Sequence, residues 1–598
     1  MNPATDSSHP DPIVLDGSSL SLEDLARLAR DPRARVEIHP DAWARVEASR
    51  AQIEGIAARY AEEWGREGGR PVLEYGVTTG FGEFKNVPIA PDCLEELQRN
   101  ILLSHSVGVG ETADPGNPAN YFDPDVVRAA LAIRLNAFLK GHSGIGPAVV
   151  RAVQAMLNRG IVPLVPIRGS VGSSGDLCPL SQLFVVLLGE SRWYVVRGPE
   201  DLPFQPRSLR SGVEQLAEDL GVEIPALSHK DGLALTNGAT FSAALLALAV
   251  HDGERLARVA DAAAALSLEA VCGCARAFDP RVHQARGLAG QIRTAANVRE
   301  MIRGSRLIER AGAVQDVYSL RCAPAVHGAA RDALAYARRV AEAEVNAATD
   351  NPLFFPGNEE PPFDHEFAAN WPAGYDGRER ISYSAGNFHG EPVGMAADVV
   401  AIALAELANI SERRTQMLLD GSQSRNLPGN LIPHRGINSG LMIIQYAAAG
   451  IVSENKVLTH PASVDSIPTS ANSEDHNAMS TIAARKARTV LRNAQSVLAI
   501  ELLVAAQAIE WRVAMEIDPR QPRPKASTNW DQADREAETF EERTRPERRQ
   551  EIAAVLGEGS RVLYRKIREA APTLLRDRVL EGDIRAVRGV VEGGIAVR

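Results

Sequence analysis

The stretch Arg168–Leu180, RGSVGSSGDLCPL, sets three glycines and three serines between apolar flanks. It lacks the Lys-Ser/Thr ending of a phosphate-cradling loop, and its glycine spacing is not G-x-G-x-x-G. A simple Gly/Ser turn is one reading. A second reading uses the order Ser173-Ser174-Gly175. If the Gly175 nitrogen attacks the carbonyl carbon of residue 173, a five-membered ring closes. Glycine suits this attack because, without Cβ, it reaches unusual backbone angles and permits close approach. Loss of water, including the Ser174 hydroxyl, then leaves an exocyclic methylene conjugated to the ring. The product would be an electrophile made from the chain itself.

Six further motifs accompany the loop in a fixed order: YGVTTGFG (75–82), LQRNILLSHSVGVGE (97–111), DGLALTNGAT (231–240), VQDVYSLRCAPAVHG (314–328), SAGNFHGEP (384–392) and HPASVDSIPTSANSEDHNAMS (460–480). Together with the loop they resemble the aromatic amino acid ammonia-lyase family, over roughly Tyr75 to the long helical pattern ending near residue 516. The electrophile of that family is 4-methylidene-imidazol-5-one (MIO), which the resemblance places at Ser173-Ser174-Gly175. The implied reaction removes the amino group and a proton from the adjacent carbon of an α-amino acid. No metal and no diffusible cofactor is expected.

The resemblance assigns the catalytic base to Tyr75, whose phenol has an ordinary pKa near ~10 and so needs activation by its surroundings. It assigns the grip on the substrate carboxylate to Arg321, whose guanidinium offers a planar fork to two oxygens. Asn237 matches the asparagine beside electrophile and carboxylate, and Gln315 and Tyr318 match polar active-site residues. If Gln315–Arg321 is helical, its three-residue spacing keeps Gln315, Tyr318 and Arg321 on one side. Phe388 matches an aromatic wall of the pocket.

Two positions bear on the substrate side chain. His105 and Glu474 match residues of the histidine-acting members. A carboxylate can hydrogen-bond an imidazole, whereas against a benzene ring it would be buried without a partner, at a cost. L-Histidine, eliminated to urocanate and ammonia, is therefore the expected reaction. Ser173, Ser473, Ala323 and Ala325 depart from the family pattern. A modified histidine, another aromatic amino acid, or a 2,3-aminomutase reaction stay open, because lyase and mutase share this machinery.

These residues must be held by long helices. Residues 239–271 run without proline and are rich in strong helix formers. Residues 391–420 behave alike after Pro392, and the longest such stretch is 475–518. Alanine on several faces suggests helices packed on all sides, and alternating β-branched runs are few. The expected class is mainly α, and the resemblance implies a fumarase/aspartase-like architecture, with an N-terminal domain (1–230) bearing the MIO loop. A central bundle of long helices (231–517) and a charged linker with a C-terminal helical extension (518–598) would follow. Residues 355–379, rich in proline, glycine and acid, read as a surface loop, and 518–551, dense in charge, as solvated surface.

The whole chain sets the remaining bounds. Its 598 residues carry a net charge of -11, with 45% hydrophobic and 24% charged residues. An acidic balance argues against a nucleic-acid partner. Five scattered cysteines fit a reducing compartment better than a disulfide framework. The first residues lack a secretory signal pattern. No uninterrupted apolar run reaches the roughly 18 residues of a membrane span, and SVLAIELLVAAQAI is broken by Glu501. A cytoplasmic enzyme without a membrane partner is expected. The resemblance further implies a homotetramer whose active sites draw on several subunits.

Overall fold

The computed structural model describes residues 11–69, 71–198, 201, 209–356, 382–521 and 530–594. Twenty α-helices dominate the described residues, with small sheets of two or three short strands. The class is mainly α, as the helix-forming composition predicts.

The three long helical patterns fold as Thr240–Ala270, Glu391–Leu419 and Ser480–Ala514. At 1.5 Å per residue the last of these, 35 residues, spans about 50 Å. It starts five residues later than the pattern does. Ser470, Ala471, Asn472 and Met479 all have left-handed backbone angles, and the Met479 N–H donates to the Val171 carbonyl at 2.8 Å. A side-chain pattern cannot reveal such a turn. Glu391–Leu419 is long and apolar enough to cross a membrane by length and composition, but 72% of its most apolar window is buried inside the protein. A mostly buried helix of this kind reads as a core element.

The chain divides into two compact units. The first comprises Met1–Leu248, Arg338–Ala397 and Pro461–Arg485. Its central helix Pro124–Phe138 is buried from Val126 onward. Even Arg128 and Arg134 are fully buried there, each satisfied by backbone carbonyls, as buried charge requires. Strand Ile161–Pro163 pairs with Arg192–Val195, and helix Leu177–Phe184 lies between them in sequence. The Gly/Ser loop is therefore the link from strand to helix.

The second unit comprises Ala249–Ala337, Asp398–His460 and Lys486–Arg598. Buried ion pairs thread its helices: Arg331 meets Asp261, which also shares a hydrogen bond with His327 at 2.8 Å, Arg414 meets Glu501, and Arg568 meets Glu510. The charged stretch 518–551 is mostly exposed among the described residues, as its composition suggests, with Phe540 and Thr544 among its few buried side chains. Helix Trp530–Thr544 stacks Phe540 on Trp511 with ring centres 4.0 Å apart, and Tyr564 donates to Glu510 at 2.9 Å. One apolar face per helix suffices to dock it. Residues 357–379 of the expected surface loop, 522–529 and the first ten residues lie outside the described residues.

Candidate active site

The loop at 168–176 is pinned on two sides. The Gly390 N–H donates to the Gly172 carbonyl at 2.9 Å, and Gly238 N–H donates to the Ser174 carbonyl at 3.2 Å. Asp176 N–H returns a bond to the Gly238 carbonyl at 2.8 Å. Ser174 and Gly175 sit at φ 50° and 75°. A Cβ on Gly175 would fall onto the Gly238 backbone, so glycine is required there by both angle and space. Behind the loop the buried Asp176 carboxylate accepts from Ser170 Oγ (2.7 Å), Ser242 N–H (2.8 Å), Ser242 Oγ (3.0 Å) and Thr481 Oγ1. Burial pushes this carboxyl upward, and the four donors pull it back in part.

Glu474 is the point on which several predicted residues converge. Its carboxylate accepts from Ser174 Oγ at 3.1 Å and from Thr469 Oγ1 at 2.6 Å. Thr469 N–H also donates to the Glu474 carbonyl at 3.0 Å, closing the turn through Ser470, Ala471 and Asn472. Three successive left-handed residues, none glycine, make that turn a costly conformation. Ser173 Oγ donates to the His476 carbonyl at 3.2 Å.

Tyr75 is half-buried, with its ring edge-on to Phe81, and its oxygen accepts from the Gly82 N–H at 3.1 Å. Burial pushes its phenol upward, the Gly82 amide opposes this, and the Glu474 charge adds to the rise. His105, at the end of helix Leu94–His105, is pushed down by burial, while the Ile101 carbonyl and Glu474 oppose that shift. Asn237 Nδ2 donates to the Asn351 carbonyl (2.9 Å) and to Asp350 (3.3 Å), whereas its buried Oδ1 has no partner among the described residues. Phe388 is half-buried between Gly386 and Gly390, beside the backbone that binds Gly172.

Tyr75, His105, Ser173, Ser174, Gly175, Asn237, Phe388 and Glu474 thus all belong to the first unit. Gln315, Tyr318 and Arg321 belong to the second. There the helix begins only at Tyr318, so Gln315 precedes it and the single-face spacing does not apply. The cause is Asp316, whose carboxylate accepts from the Cys274 N–H (2.7 Å) and Arg425 (2.6 Å) and ties the segment elsewhere. Arg321 Nε donates to the Asp316 carbonyl at 3.0 Å, and its guanidinium lies 4.6 Å over the Tyr318 ring. A cavity of about 690 Å³ in this unit is lined by Ile443, Asp577, Arg578 and Arg588 among others, and none of the predicted residues lines it.

Thr469, Asp176 and Gly82 position the predicted groups without having been singled out from sequence. Each stands inside a quoted motif, which was the available signal, but their hydrogen bonds depend on the fold.

A model of the family described as aromatic amino acid lyase matches residues 20–533. The chain is 42% identical to a histidine ammonia-lyase of Caldanaerobacter subterraneus subsp. tengcongensis over 584 residues, 97% of each chain. The crystal structure of a histidine ammonia-lyase from Trypanosoma cruzi is similar at 34% identity and a TM-score of 0.76, covering 98% of this chain and 94% of that one. A tyrosine aminomutase from Streptomyces globisporus is similar at 32% and 0.78, covering 98% and 97%.

Proposed function

Because the chain belongs to the aromatic amino acid lyase family, we propose that it eliminates ammonia from L-histidine to give urocanate, with an MIO electrophile formed from Ser173-Ser174-Gly175. Family membership makes the protein a carbon–nitrogen lyase of mainly helical fold. The finer reading is carried by one observation: the loop serine, the phenol and a histidine all meet the field of one carboxylate, Glu474.

The residues present fit the MIO group. Left-handed angles at Ser174 and Gly175, and the space that admits only glycine at 175, suit a ring closed within the backbone. Asn237, whose Oδ1 has no partner among the described residues, directly precedes Gly238, whose backbone bonds the Ser174 carbonyl and the Asp176 amide. Once formed, MIO would supply the electron sink that turns the substrate's amino group into a leaving group. Tyr75, as phenolate, accepts the proton from the carbon next to the one bearing nitrogen. Arg321 binds the carboxylate through guanidinium nitrogens that Asp316 leaves free, with Gln315 and Tyr318 beside it. Phe388 walls the pocket. Glu474 accepts a hydrogen bond from the substrate imidazole, and His105, held neutral by burial, adds a second polar contact.

We place the enzyme in the cytoplasm as a homotetramer, which the exposed apolar faces of its helices support. The deciding experiment is incubation of purified protein with L-histidine, L-phenylalanine and L-tyrosine, following absorbance of the conjugated acid and testing for β-amino acids. Urocanate from histidine is the expected product. Preferential turnover of phenylalanine or tyrosine overturns the substrate assignment, and β-histidine moves the reaction to a 2,3-aminomutase.

A further inference from the structure

We propose that Glu474 also acts before any turnover, as the acid–base group that dehydrates Ser174 while the electrophile forms. The inference rests on the reading of Ser173–Gly175 as the MIO precursor. In the folded, uncyclised chain Ser174 Oγ donates to Glu474 Oε1 at 3.1 Å. Among the described residues, Glu474 is the titratable side chain hydrogen-bonded to that hydroxyl. Asp176, two residues on, is committed to Ser170, Ser242 and Thr481 instead.

The chemistry needs two waters to leave. In the first, the Gly175 nitrogen bonds to the Ser173 carbonyl carbon. That oxygen departs as water with the amide protons of Gly175 and Ser174, leaving a C=N bond from carbon 173 to nitrogen 174. In the second, the Ser174 Cα–H, acidified between imine and carbonyl, gives its proton to the Glu474 carboxylate. The C–H electron pair becomes the exocyclic C=C, and the Cβ–Oγ bond breaks with its pair on oxygen. Glu474 returns the proton to that oxygen, water leaves, and the carboxylate is regenerated. No oxidant or external reagent is consumed.

The local geometry serves this role. Thr469 Oγ1 donates to the other carboxylate oxygen, Oε2, at 2.6 Å, which fixes the carboxyl with Oε1 toward Ser174. The strained turn at Ser470–Asn472 holds both ends. Maturation also has a consequence for binding. When the Ser174 hydroxyl leaves, Oε1 loses its donor and becomes free for a substrate N–H. An uncyclised chain therefore blocks the acceptor with its own serine, and the substrate site opens only as the electrophile is completed.

Intact mass followed in time after cell-free synthesis tests this. Wild type and Tyr75→Phe are expected to lose about 36 Da, two waters, at similar rates. Glu474→Gln is expected to lose the second water about 100-fold more slowly, the scale of a removed acid–base group, and to accumulate a species lighter by about 18 Da. Loss of both waters by Glu474→Gln at the wild-type rate overturns the proposal. A wild-type chain of unchanged mass overturns the MIO reading itself. Far-UV circular dichroism checks folding. If Glu474→Gln does not fold, Thr469→Val keeps the carboxyl but removes its anchor. It should slow the same mass change about tenfold, and an unchanged rate there also overturns the proposal.

Discussion

Burial pushes the Tyr75 phenol upward, the Gly82 amide restrains the rise in part, and the Glu474 charge adds to it. In its proposed role as base Tyr75 must be deprotonated, so the fraction of competent enzyme should grow as pH climbs toward that raised value. The expected kcat/KM profile therefore rises through the alkaline range, and Tyr75→Phe should lose turnover while keeping the mass loss of a cyclised loop. A flat profile between about pH 7 and 10 would assign proton removal to another group. At this scale the sequence was informative about which residues and silent about their state. The motif around Tyr75 identifies a phenol, but its surroundings are set by Gly82, seven residues on, and by Glu474, almost four hundred residues away. Likewise Asn237 is visible in LTNGAT, whereas its Oδ1, without a partner among the described residues, follows from Asn351 and Asp350 taking the amide side.

Elements were legible wherever composition alone decides them. Alanine-rich stretches without an interior proline gave helices within a residue or so of the pattern at Thr240–Ala270 and Glu391–Leu419, the latter carrying Pro392 only in its first turn. They were not legible where a buried side chain overrides spacing. Asp316 draws Gln315 out of the helix that its three-residue interval suggests, and the Met479 turn delays the start of the longest helix. The end of helix Ala323–Glu344 shows what such packing does to stability. Burial and then the neighbouring Asp176 push the Glu344 carboxyl up from 4.5 to about 7. Between those values the native chain holds a proton that the unfolded chain has released. Stability therefore falls as pH rises through that window, and the loss is complete above about pH 7. Glu344→Gln should match wild type below about pH 4.5 and exceed it by about 3 kcal/mol above about pH 7. Thermal unfolding across that range measures the difference, and parallel curves would mean the carboxyl is not held out of water.

The whole molecule leaves apolar surface uncovered. Helix Met442–Leu458 buries only Ile444, Ala448 and Asn455, while Ile443, Tyr446 and Val457 stand open to solvent. Val314 and Tyr318, beside the proposed carboxylate-binding arginine, are 95% and 71% exposed. Exposed side chains of this kind fit the subunit contacts of the proposed tetramer. Symmetric self-association would cover them at no cost in new sequence. A single chain's motif order shows nothing of this, because residues that meet across subunits need no particular separation along one of them. The tetramer reading has a direct consequence for activity. If Tyr75 and Arg321 reach one site from different subunits, two inactive variants can repair each other. Tyr75→Phe and Arg321→Ala, refolded together in equal amounts, would give random tetramers in which a site draws an intact tyrosine half the time and an intact arginine half the time. About a quarter of wild-type activity should return, against none for either variant alone. A mixture as inactive as its parents, with mixed tetramers shown by mass, would mean that each chain builds its own site, and the exposed Val314–Tyr318 face would then need a different occupant.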